Sequence, residues 1–77
     1  FDIVVENACH EWKEIARRLG LTEPAIASID DTYRGRSREC CIRALNVWLG
    51  DHGRNATVDM LKEALISARF RSVAELI

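Results

Sequence analysis

Apolar residues recur along this chain with the 3.6-residue period of a helix. Trp12, Ile15, Ala16 and Leu19 fall at i, i+3, i+4 and i+7, and the run stops at Gly20, a residue suited to the position just past a helix. Thr22 then caps a short helix with Pro24 in its first turn and Ile26 and Ile29 facing inward. That helix ends before Tyr33-Arg34-Gly35. Ser37 is expected to cap the longest helix, with Cys41, Ile42, Leu45, Trp48 and Leu49 as its stripe and Gly50 through Gly53 closing it. Thr57 opens a helix carrying Val58, Leu61, Leu65 and Ala68. Ser72-Val73-Ala74-Glu75 has the spacing of a capping box, and its helix is expected to bury Val73, Leu76 and Ile77. Phe1, Val4, Val5 and Ala8 read as the remainder of a first helix. No strand alternation, repeat or linker interrupts the pattern. The expectation is all-α: six helices with short loops, packed as an antiparallel bundle.

Composition narrows what such a bundle can be. At 77 residues the chain is one domain at most. Its start at Phe1 suggests a segment of a longer protein. A chain that is 48% hydrophobic and 30% charged is not a disordered tail. No apolar run approaches the ~18 residues of a membrane span, so insertion is not expected. Eleven basic against twelve acidic residues argue against a general nucleic-acid binder, which must neutralise phosphates. The three cysteines, Cys9, Cys40 and Cys41, are odd in number, and two are adjacent. That arrangement argues against a disulfide framework and for a reducing compartment.

Candidate chemistry is sparse. His10 and His52 have no Ser, Cys or Asp at a spacing useful for catalysis. Cys9-His10 and Cys40-Cys41 lack the paired short spacings that announce zinc, so neither a metal nor another cofactor is expected. The four glycines form no phosphate-cradling loop. Ala16, Gly20 and Ile26 share the spacing of a helix-turn-helix. A recognition helix from Thr22, however, would present Glu23, Ala25, Ala27, Ser28, Asp30 and Asp31, with nothing to read base edges. Asn55-Ala56-Thr57 fits a glycosylation sequon but is better read as a helix start capped by Thr57.

What remains is charge. Lys13, Arg17 and Arg18 lie beside Glu11 and Glu14, and Arg34, Arg36, Arg38 and Arg43 form a second basic group. Acidic residues gather at Glu23, Asp30 and Asp31 and again at Asp59, Glu63 and Glu75. Segregated signs on a nearly neutral module suit pairing with a complementary protein surface. Leu21 is the one large apolar residue in a turn, either core or an anchor between charges.

Several stretches, in order, resemble the death domain family: the Trp12 helix with Ala16-Arg17 and Leu19; Ile26-Ala27-Ser28-Ile29-Asp30-Asp31-Thr32-Tyr33; Leu45 with Trp48; Asn55-Ala56-Thr57-Val58; and Val73-Ala74-Glu75-Leu76. The resemblance spans essentially the whole chain, missing the opening of the first helix. It implies a six-helix Greek-key bundle, in the cytoplasm, that pairs with other death domains in a higher-order assembly. Its Fas-type branch implies an adaptor for the cytoplasmic death domain of a Fas-type receptor. There, initiator caspases are recruited by a separate death effector domain, which is absent here. By position, the resemblance points to Arg17 and Leu21 first for receptor contact, with Lys13 and Glu23 as neighbours and Arg34 and Arg38 as weaker candidates. Cys40, Cys41 and Ile42 depart from the more charged fourth helix of the family. A death domain from another signalling protein, a receptor or a kinase-linked adaptor, is the alternative. Trp12 and Trp48 lie on apolar stripes and are assigned to the core.

Overall fold

The computed structural model describes residues 2–77; Phe1, assigned above to the first helix, lies outside the described residues. Among the described residues six α-helices follow one another: α1 (Asp2–Ala8), α2 (Trp12–Arg18), α3 (Glu23–Thr32), α4 (Ser37–His52), α5 (Val58–Ser67) and α6 (Arg71–Ala74). Single 3₁₀ turns at Cys9–Glu11 and Gly53–Asn55 link α1 to α2 and α4 to α5. No strand occurs among the described residues.

Two of the predicted caps form as expected. The Thr22 hydroxyl accepts from the Ala25 amide at 3.3 Å, and the Thr57 hydroxyl accepts from the Met60 amide at 3.2 Å. Each satisfies one of the amides that a helix start leaves without a partner. Ser37 does not cap α4. Arg36 holds that place, because its carbonyl accepts the first intrahelical bond from the Cys40 amide at 2.9 Å, and Ser37 is already helical. The capping box at Ser72 fails for the same reason. Phe70 is the N-cap of α6, so Ser72 lies inside the helix and Glu75 stands at its C-terminal end. Gly50 is likewise interior to α4, which Gly53 terminates with φ at 54°.

Buried residues from every helix merge into one core. On α4 the inward residues are Cys40, Cys41, Ala44, Leu45 and Trp48, a stripe one flank away from the expected one. Ile42 and Leu49 sit roughly 110–130° round the helix from its centre and are 38% and 42% exposed. Small and thiol side chains let α4 approach its neighbours closely, and α4 packs against α1, α2 and α3. Elsewhere Ala64 takes an inward place that periodicity did not assign to it, whereas Val58 and Leu76 are about 60% exposed. Trp12 and Trp48 are both buried, as their stripes predicted. The packing order is crossed: α1 lies against α4 and α6, and α2 against α4 and α5. This is the Greek-key form of an antiparallel six-helix bundle. None of the helices described is long and apolar enough to cross a membrane.

Candidate protein-interaction surface

The turn between α2 and α3 sets the geometry of the surface to which the sequence points. Gly20, with φ at 98°, donates its amide to the Arg17 carbonyl at 3.1 Å, and Leu21 donates to the Ala16 carbonyl at 3.0 Å. This pair of bonds is a Schellman motif, which closes a helix while reversing the chain. Its apolar member is Leu21, which is 9% exposed and belongs to the core. Leu21 therefore anchors the turn from beneath, and its side chain is not an exposed anchor between charges.

Above that anchor, α2 and α3 are laced together by ions. Lys13 Nζ meets Asp30 Oδ2 at 3.1 Å. Arg17 Nε donates to both carboxylate oxygens of Glu23 at 3.0 Å, and Arg17 Nη1 lies 3.5 Å from Glu14. Glu14 is shared with Arg18, at 2.9 Å. The Lys13 ammonium also sits 6.0 Å from the centroid of the Trp12 ring. The hydrogen bond and charge of Glu23 hold the Arg17 guanidinium above its ordinary pKa.

This arrangement corrects the expectation of segregated charge. The acids of α3 are folded onto the bases of α2, and the face is a mosaic of paired signs. Exposed pairs of this kind add little to stability, because water screens them and long side chains lose entropy in holding them. They are correspondingly free to exchange partners when a complementary surface arrives.

Lys13, Arg17 and Glu23 are thus brought together, with Leu21 under them. Arg34 stands apart at the far end of α3, 3.0 Å from Asp31. Arg38, in the first turn of α4, reaches toward Glu6 of α1 at 3.8 Å, on a different face. Asp30 is the member that sequence reasoning did not place here. Its pairing with Lys13 spans seventeen positions, and no local spacing announces it. Glu14 with Arg18, by contrast, is an i,i+4 pair and was legible.

The cysteines form no site. All three are free thiols. The Cys40 thiol is directed at the carbonyls of Tyr33, at 3.5 Å, and Ile29, at 3.9 Å, which tacks α4 to the end of α3. Burial pushes the Cys41 thiol up to about 12, far from reactivity at neutral pH. Among the described residues no group of three or more His, Cys, Asp or Glu side chains is placed to hold a metal ion.

The Death domain family model matches residues 1–77. The chain is 35% identical over 77 residues to the FAS-associated death domain protein of Mus musculus, covering 100% of this chain and 38% of that protein. The Homo sapiens counterpart is 32% identical over the same length, of which the chain covers 37%. Human receptor-interacting serine/threonine-protein kinase 1 is 38% identical over 66 residues, 83% of this chain but 10% of the kinase. The chain therefore spans well under half the length of each of these relatives. A six-helix Greek-key bundle matched by the family model from end to end shows that this chain belongs to the death domain family.

Proposed function

We infer that the chain is a non-catalytic adaptor domain that binds the death domain of a Fas-type receptor through the α2–α3 face. The carrying observation is the mosaic of Lys13–Asp30 and Arg17–Glu23 across two helices, locked in place by a turn whose Leu21 is core. Similarity over the whole chain to proteins named for association with FAS supports the choice of partner. In this reading Arg17 and Glu23 are the central contacts and Lys13 flanks them. Leu21 acts by positioning, and Arg34 and Arg38 serve other contacts in a higher-order assembly. The domain works in the cytoplasm, and caspase recruitment belongs to a separate death effector domain.

The likeness to the kinase supports a second reading, in which the partner is a death domain of the kinase-linked branch. A binding panel separates the two. The chain is titrated with purified Fas-type receptor death domain and, separately, with the death domain of the receptor-interacting kinase. The first reading expects tighter binding to the receptor domain. Preference for the kinase domain would transfer the assignment to the second.

A further inference from the structure

The pattern Arg-x-Arg-Ser occurs twice, as Arg34-Gly35-Arg36-Ser37 and as Arg69-Phe70-Arg71-Ser72. The fold treats the two copies differently. In the first, every residue from Arg34 to Glu39 is exposed, and the Ser37 hydroxyl makes no capping hydrogen bond. Arg34 and Arg38 hold only exposed acidic partners, Asp31 and Glu6. The first turn of α4 buries no side chain before Cys40. Opening it trades a few backbone hydrogen bonds for bonds to water and uncovers no core, so it is a low-cost local motion.

In the second copy Arg69, Arg71 and Ser72 are also exposed, but Phe70 and the residues that follow tie the segment to the core. Phe70 packs edge-on against His10, with ring centroids 5.6 Å apart. Val73 and Ala74, directly after Ser72, are buried. Arg69 already closes α5 in the left-handed region, with φ at 69°. Drawing this segment out into an extended strand would pull Val73 and Ala74 into water.

We propose that Ser37 is a phosphorylation site for a serine kinase that reads arginine on the N-terminal side of its target, and that Ser72 is a masked copy of the same motif. Such a kinase selects its substrate by setting carboxylates opposite the substrate's arginines. Ser37 Oγ attacks the γ-phosphorus of ATP, and the new O–P bond forms as the bond to the β,γ-bridging oxygen breaks. The hydroxyl proton passes to the aspartate of the kinase's catalytic loop, and ADP leaves. The product places about −1.5 to −2 charges beside Arg36 and Arg38. That cancels most of the positive charge that Arg34, Arg36 and Arg38 carry together. The effect on partner binding rests on the function proposed above; the modification itself does not.

The folded chain is incubated with the catalytic subunit of cyclic-AMP-dependent protein kinase, ATP and Mg²⁺, and phosphate is located by peptide mapping. Free peptides covering residues 31–41 and 66–76 serve as unfolded controls. The expected result is phosphate on Ser37 in the folded chain, lost in Ser37→Ala and kept in Ser72→Ala. Ser72 should be labelled in its free peptide but at least about tenfold more slowly in the fold, through local opening. Absence of phosphate from Ser37 in the folded chain overturns the proposal, whatever the peptides show. Labelling of Ser72 as fast in the fold as in its peptide overturns the masking.

Discussion

The chain makes the same helix-closing turn twice with different residues at the critical place. After α2, Gly20 occupies the left-handed position, and the amides of Gly20 and Leu21 return to Arg17 and Ala16. After α5, Arg69 occupies that position with φ at 69°, and the amides of Arg69 and Phe70 return to Ile66 at 3.0 Å and Leu65 at 2.7 Å. The hydrogen bonding is equivalent, but the local cost is not. A residue with a Cβ loses roughly 1–2 kcal/mol in the left-handed region, where glycine is at ease. The turn under the candidate binding face is thus relaxed, whereas the turn before α6 is held by its surroundings. Shape at such turns is dictated by the bonds the backbone must make, and glycine only lowers the cost of making them.

The largest effect separating the two turns should come from their apolar members. Leu21 is buried and Phe70 only partly so. Leu21→Ala is therefore expected to cost about 2–4 kcal/mol and Phe70→Ala less, measured by urea unfolding. Equal losses would show that the two anchors carry equal weight. Next comes Gly20→Ala. Nothing lies within 4 Å of an added Cβ, so the change is one of backbone alone. Left-handed strain outweighs the reduced entropy of the unfolded chain, for a net loss of about 0.5–1 kcal/mol. Arg69→Gly runs the same arithmetic backwards. It should raise stability by about 0.5 kcal/mol, and a lower unfolding midpoint would contradict the claim of strain.

The contrast also explains what the sequence could and could not disclose. Gly20 signals its turn to any reader, because glycine is common at that position. Arg69 gives no such signal, although the apolar stripe that ends at Ala68 marks the end of α5. Ser72 and Glu75 have the spacing of a capping box, yet the Schellman bonds after α5 deliver the chain to α6 with Phe70 as N-cap. A linear motif cannot register that. On α4, periodicity favoured the larger Ile42 and Leu49 over Cys40 and Ala44, whereas close packing took the smaller residues inward. The candidate face was legible in Lys13, Arg17 and Glu23, which lie near one another in the chain. Its true character, paired charge over a buried Leu21, depends on α3 folding back so that Asp30 meets Lys13. The separation of Arg38 from that face likewise depends on α1 packing against α4.

The smallest effect on stability and the sharpest on function are expected at the same residue. The Arg17 side chain is exposed and, among the described residues, forms ion pairs only with Glu14 and Glu23, so reversing its charge should leave the fold intact while setting three carboxylates together where a partner expects a cation. The decisive measurement is a calorimetric titration of the wild-type chain and Arg17→Glu with a Fas-type receptor death domain, with thermal unfolding of both. Affinity should fall at least about tenfold with the unfolding midpoint nearly unchanged. Unaltered affinity in a folded Arg17→Glu chain would contradict the assignment of the α2–α3 face as the receptor-binding surface.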